Sequence, residues 1–238
     1  MTTSALTFKN GIKDGLPIGL GYLSVSFAFG VQASLLGLPI YFSVLISMTN
    51  LTSAGQLAGV GIIAALGSVA EMLLVQLVIN SRYFLMGVSL SQNLDSSFTT
   101  GKRFAAAAFI TDEIFAIAVS KRGEINTKYY FGLTVIPYVG WAVGTLLGAI
   151  SGNVLPIELQ SALGIGLYAM FIAIVVPPAV KSFKIAFVLF FAAGLSCLFY
   201  YVPFSKNNIS QGFAIIISAL TAALVAALLF PVKEENDA

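Results

Sequence analysis

Histidine is absent from this 238-residue chain, cysteine occurs once, and charge is scarce: 12 basic and 10 acidic residues make up 9% of the sequence. A soluble domain carries roughly 25% charged residues. With 58% hydrophobic residues, the chain lacks the polar surface that a water-soluble globule needs to cover its core. It is also far too apolar to be disordered. The missing histidine removes His-ligated metal sites, Ser-His-Asp and Cys-His catalysis, and imidazole proton relays together. The lone Cys197 excludes an intramolecular disulfide and a thiolate cluster. Set in an apolar run, it reads as a small buried hydrophobe. A net charge of +2 points to no nucleic-acid partner. Walker, dinucleotide and EF-hand patterns are missing too. No metal or cofactor is expected.

What remains is apolar sequence in lengths that match a bilayer, where a spanning helix takes about 20 residues. No charge interrupts Gly15 to Ala70, so that stretch must hold more than one span. Eight spans fit the pattern: Leu16 to Leu36, Ile40 to Leu66, Ser68 to Leu90, Phe104 to Ser120, Tyr129 to Ile150, Leu159 to Val176, Ile185 to Val202 and Ile209 to Phe230. Prolines 156, 177, 178, 203 and 231 fall at boundaries, where a missing backbone donor does little harm. The fold class is an all-α polytopic membrane protein, residues 1–238 forming one transmembrane domain of seven to eight helices, some discontinuous. The N-terminus reads as part of that domain and not as a cleavable signal.

Short-loop Lys and Arg set orientation. With the N-terminus inside, Lys9, Lys13, Lys121, Arg122, Lys128, Lys181, Lys184 and Lys233 lie inside, and Lys102, Arg103 and Lys206 lie outside. Both termini are then cytoplasmic. A broken third span would reduce the count to seven. Span one (Gly15, Pro17, Gly19, closing at Pro39) is echoed in span five (Pro137, Gly140, closing at Pro156), a pattern that fits the internal repeats of secondary transporters.

Span two carries Ser47, Thr49, Asn50, Thr52, Ser53, Gly55 and Gln56 near its centre. Such residues bond their own backbone and break helices. Irregular backbone at membrane depth persists only where protein or a water-filled cavity satisfies it. Half-helix ends would offer N–H groups to a carboxylate and C=O groups to an ammonium, as a zwitterionic amino acid requires. Interhelical hydrogen bonding by the same side chains is the alternative. The sequon formed by Asn50 and Thr52 lies too deep for glycosylation. Arg82, Asp112 and Glu113 fall within spans, where charge is costly. Neighbouring Asp112 and Glu113 point about 100° apart on a helix, so one can pair with Arg82 while the other lines a cavity. Glu71, at the start of its span, reads as solvated and interfacial. Glycines 140, 144, 148 and 152, and glycines 11, 15 and 19, make close-packing stripes. Tyr129, Tyr130, Tyr200 and Tyr201 fit an interfacial belt, and Trp141 stands off it near the middle of span five.

Several of these elements, in this order, resemble the AzlC/YgaZ family of branched-chain amino acid exporter large subunits. They are the Gly15-Leu-Pro17 start, Ser53-Ala-Gly55-Gln56, Asn80-Ser-Arg82-Tyr83-Phe-Leu, Thr111-Asp112-Glu113, the Gly140-Trp141 run to Gly148, and Tyr168-Ala-Met-Phe171. The resemblance spans about residues 8 to 230. It implies export of leucine, isoleucine, valine and methionine across the bacterial cytoplasmic membrane, a small AzlD/YgaH-type membrane subunit as partner, and proton-driven antiport. A histidine expected after the span-three arginine is replaced by Tyr83, which would leave coupling to Asp112, Glu113 or Glu71. The expected substrate site is Asn50, Ser53, Gly55 and Gln56. The expected coupling or gating group is Arg82, Asp112 and Glu113. A channel, a non-transporting assembly subunit and an intramembrane protease are the competing classes. The last is disfavoured because only Asp112 is a centred aspartate.

Overall fold

The computed structural model describes residues 6–121, 123–156, 158–159, 172, 175–203 and 208–231. The expected sixth span, the Tyr168–Phe171 element, Arg122, Lys206 and Lys233 fall wholly or mostly outside these residues. The principal helices are α1 (Phe8–Leu35), α2 (Ile40–Thr49), α3 (Ser53–Ala64), α4 (Val69–Ser91), α5 (Thr100–Ala107), α6 (Asp112–Ser120), α7 (Thr127–Val154), α8 (Phe183–Tyr201) and α9 (Gln211–Leu229). Among the described residues α1, α4, α7, α8 and α9 are long and apolar enough to cross a membrane, while α2 and α3 are short apolar helices. The chain forms two compact units: residues 1–60 with 79–167, and residues 61–78 with 168–238.

The first unit is organised on α1 and α7, each 28 residues long, or about 42 Å at 1.5 Å per residue. Thr7 and Asn126 cap their N-termini through the backbone N–H groups of Asn10 (3.2 Å) and Tyr129 (2.9 Å). Both helices start earlier than their apolar patterns suggest, so Pro17 and Pro137 lie inside them. The glycine stripes are the seam. Gly132 abuts the Phe8 carbonyl, Gly140 that of Gly19, Gly144 that of Leu23 and Gly148 that of Phe27, and Gly152 abuts Ser34. A Cβ at any of these would fall inside contact distance of α1. Without side chains the backbones approach closely, the arrangement that drives helix association where apolar lipid supplies no hydrophobic force. Partners rise together along both helices, so α1 and α7 run parallel.

The segments between them do not cross as the apolar lengths suggest. The Gln56 amide donates to Ser47 Oγ at 2.9 Å, although a continuous helix would separate those residues by about 13 Å along its axis. Farther on, Val60 packs with Phe29, Ala33 and Leu38, near the end where α2 began. Thus α2 and α3 form a hairpin that enters from the C-terminal end of α1 and returns to it.

The second hairpin is α5–α6. Ser97, just before α5, lies 2.6 Å from the Thr127 hydroxyl at the start of α7. Lys121, just past α6, pairs with Asp14 on α1 at 2.7 Å. Both its ends therefore lie at the N-terminal ends of α1 and α7. The 92–99 loop is pinned there by backbone bonds from Asp95 N–H to the Ile125 carbonyl (3.0 Å) and from Ile125 N–H to that of Asn93 (2.7 Å). The helix α4 is a single 23-residue helix. Its Leu90 joins the core cluster of Phe98, Ile125, Tyr129 and Tyr130 at that same end. It is long and apolar enough to cross a membrane, and the two hairpins enter from opposite ends of α1 and α7.

Several expectations change. Spans two and four are each split into two short helices, at Asn50–Thr52 and at Ala108–Thr111, and span three is unbroken. Lys102 and Arg103 lie beside residues 97–99, at the end that also carries Lys9, Lys13, Lys121 and Lys128, and not on the opposite side. Tyr129 and Tyr130 are buried, donating to Asp14 (2.7 Å) and to the Ala106 carbonyl (3.0 Å), and form no belt. The parallel α1 and α7 hold the echoed Gly/Pro motifs. A second relation is inverted: a crossing helix and hairpin (α1 to α3) is followed by the same pair running the other way (α4 to α6).

In the second unit, α8 and α9 run antiparallel, with Phe187 near the start of α8 against Phe230 just past α9. Glu71 is 4% exposed, contrary to its solvated reading. Its carboxylate accepts from the Ser210 hydroxyl and from Gly212 N–H (2.8 Å) at the N-terminus of α9, where a helix end stabilises negative charge. Cys197 is exposed on α8, not buried. No residue of α8 is buried.

Candidate functional site at the hairpin tips

The two hairpins end where their sequences stop favouring helix. At the first tip, α2 closes on Asn50 in an extended conformation, and α3 restarts at Ser53. At the second, α5 ends at Ala107 and α6 restarts at Asp112, with Thr111 capping it through Ile114 N–H at 3.3 Å. Thr52 and Thr111 hold the same position, immediately before each returning half-helix. One side chain from the middle of α7 touches both tips. The Tyr138 hydroxyl donates to the Met48 carbonyl at 3.1 Å, and its ring meets Phe109 edge-on, with centroids 5.3 Å apart. The N-terminal ends of α3 and α6 therefore sit near the level of the α7 midpoint.

Three polar groupings surround the tips. Gln56, 1% exposed, donates to Ser47, whose hydroxyl lies 2.6 Å from that of Thr145 on α7. Its Oε1 is buried without a hydrogen-bond partner. On the other side, Tyr22 of α1 donates its hydroxyl to Glu113 Oε2 and lies 2.6 Å from the Thr111 hydroxyl. Its ring meets Trp141 at 4.8 Å and 72°. Third, Arg82, past the middle of α4, pairs with Asp112 at 2.9 Å. Arg82 also donates to the Tyr83 hydroxyl at 3.2 Å and lies 5.0 Å over that ring. Thr52 faces Tyr83 as well. The side chains of Arg82 and Asp112 are 45% and 42% exposed, so the pair is not sealed in the core.

The structure thus places Asn50 at the end of α2 and Ser53, Gly55 and Gln56 in the first turn of α3. It divides the coupling candidates: Asp112 goes to Arg82, and Glu113 turns away to Tyr22. The divergence follows from neighbouring positions on one helical turn. Tyr22, Tyr138, Trp141 and Thr145 escaped the sequence reading. Trp141 and Thr145 each follow a seam glycine and stand one turn apart, and a polar or amphipathic residue repeating along a glycine stripe was the available signal. Asp112 and Glu113 also complement the N-terminal dipole of α6. The first turn of α3 carries no acid.

The family described as AzlC protein matches residues 17–155, the stretch that holds both tips. The Escherichia coli (strain K12) inner membrane protein YgaZ is 33% identical over 175 residues, covering 70% of this chain and 71% of that protein. An uncharacterized membrane protein of Archaeoglobus fulgidus is 28% identical, with 71% and 75% covered. The Bacillus subtilis (strain 168) branched-chain amino acid transport protein AzlC is 26% identical, with 74% and 70% covered. No solved structure matches the chain.

Proposed function

Because the chain belongs to the AzlC family of membrane transport proteins, we propose that it exports branched-chain amino acids across the bacterial inner membrane. Leucine, isoleucine and valine are the principal substrates and methionine a further one. It works with a small second membrane subunit, and the basic end that holds Lys9, Lys13, Lys102, Arg103, Lys121 and Lys128 faces the cytoplasm, following the positive-inside rule.

The observation that carries this reading is the meeting of two half-helix hairpins from opposite faces. Broken helices offer backbone N–H and C=O ends to the charged groups of an amino acid while the surrounding protein excludes lipid. Leu51 and Ile110, one on each tip, and Val25 pack against the cluster that holds Tyr22 and Trp141, giving an apolar surface for a branched side chain. A hairpin that closes the site from one face can move while the other holds, which is what alternating access requires. Asp112 with Arg82, and Glu113 with Tyr22, supply two carboxylates whose partners can change with protonation or with substrate, and proton antiport is the coupling proposed.

Isoleucine efflux from loaded cells tests the reading. Gln56→Ala and Asp112→Asn each lower efflux at least ten-fold with the protein still in the membrane. Wild-type rates in both would reject these tips as the site. Flux indifferent to an imposed pH gradient would favour a channel, which the half-exposed ion pair also fits.

A further inference from the structure

Besides Thr52 Oγ1, which faces Tyr83, two buried polar atoms beside the tips lack hydrogen-bond partners. One is Gln56 Oε1, an acceptor on the first turn of α3. The other is Trp141 Nε1, a donor on α7, in a residue 2% exposed. Leaving such a group buried and unpaired costs about 1–3 kcal/mol, and a native protein keeps few of them without cause. These two are neighbours through a short chain of contacts. Gln56 bonds Ser47, Ser47 bonds Thr145, and Trp141 is one helical turn from Thr145 on the same face of α7. Residues four apart on a helix bring their Cβ atoms within about 6 Å. The Trp141 ring is held in place by its edge-on contact with Tyr22.

Their chemistry is complementary. An amide oxygen receives an ammonium, and an indole N–H, which only donates, receives a carboxylate. An α-amino acid carries both charged groups on one carbon and can engage the two atoms together, each through a hydrogen bond of about 2.9 Å. We infer that Gln56 Oε1 and Trp141 Nε1 are the paired recognition atoms for the substrate's ammonium and carboxylate, with Leu51 and Ile110 against its side chain. Trp141, which stands off the aromatic belt, is then a binding residue. This inference rests on the transport reading.

Trp141 is the only tryptophan of the chain, so its emission reports directly on the site. The full chain reconstituted in lipid vesicles is titrated with isoleucine, with isoleucinamide (no carboxylate) and with the desamino acid (no ammonium). Isoleucine gives a saturable emission change, and each analogue requires at least ten-fold higher concentration, as expected for losing a hydrogen bond to a charged group. In flux assays Trp141→Phe raises KM for isoleucine at least ten-fold and brings isoleucine and isoleucinamide to near-equal potency as competitors. Gln56→Leu does the same for isoleucine and the desamino acid. Isoleucine flux without an emission change, or equal potency of all three ligands on the wild-type protein, overturns the assignment and leaves the transport reading standing. Absence of amino-acid flux from the wild-type protein reconstituted together with the small second subunit overturns the transport reading itself. Should a variant fail to reach the membrane, the wild-type ligand series still decides.

Discussion

The two units of this protein reverse the usual relation between hydrophobicity and burial. Half of each spanning window in α1 and α7 is buried, whereas α8 and α9 are the more apolar helices and bury none and 17% of theirs. In water the most apolar segments form the core. In a bilayer they face a solvent as apolar as leucine, so the interior is left to small and polar side chains. The first unit follows that logic: glycines bring α1 and α7 together, and hydroxyls and amides fill the space around the tips. In the second unit one carboxylate, Glu71, is held at the start of α9 beside otherwise lipid-compatible surface. High apolar content therefore goes with exposure in α8 and α9, while glycines make the α1–α7 seam and hydroxyls and amides surround the tips.

Glycine substitutions separate the α1–α7 seam from α8 most sharply. Gly148→Leu forces a side chain into the Phe27 backbone on α1, and Gly194→Leu on α8 meets nothing within 4 Å. Overpacking costs about 1–3 kcal/mol even where neighbours can yield, and backbone yields little. Gly148→Leu is expected to remove most folded protein from the membrane, as measured by detergent-extracted monodisperse protein, while Gly194→Leu leaves the yield unchanged.

A smaller effect is expected from the ion pair. Arg82→Ala and Asp112→Ala each leave one charge uncompensated at membrane depth, and each lowers efflux about ten-fold or more. The double substitution loses less than the product of the two, with a coupling of about 1–3 kcal/mol for groups in direct contact. Strict multiplicativity would show that the pair does not act as a unit.

The smallest effect belongs to the second unit. Glu71→Gln keeps an acceptor for Ser210 and Gly212 but loses the charge that favours the α9 N-terminus. It lowers thermal stability by about 1 kcal/mol without altering the isoleucine KM, because these residues lie outside the tips. A changed KM would tie Glu71 to transport.

The sequence made the crossing helices legible, since about 20 apolar residues between charges leave few alternatives. The polar run from Ser47 to Gln56 marked the first tip, because Asn, Thr, Ser and Gly announce a broken helix. The second tip was hidden. Residues 104–120 are apolar enough to resemble a short span, and the break at Ala108 to Thr111 contains no glycine or proline. Asp112 and Glu113, read as mid-span charges, are first-turn residues after a threonine cap, a signal that a membrane-scale hydropathy pattern overrides. Glu71 misled for a related reason. Its position near a helix start suggested water, and only the arrival of α9, 139 residues away in sequence, supplies its partners. Tyr22 and Trp141 are invisible as site residues because their roles depend on the parallel seam of α1 and α7.

Two hairpins that enter from opposite faces and do not cross define the proposed site. Cysteine accessibility measures this directly, starting from a Cys197→Ser background. A membrane-impermeant maleimide should label Lys102→Cys from the same side as Lys9→Cys, and Gly37→Cys from the opposite side. Labelling of Lys102→Cys from the side opposite Lys9→Cys would mean that the α5–α6 hairpin is a full crossing, and labelling of Gly37→Cys from the side of Lys9→Cys would mean that the hairpins enter from one face; either would contradict the opposed-tip site.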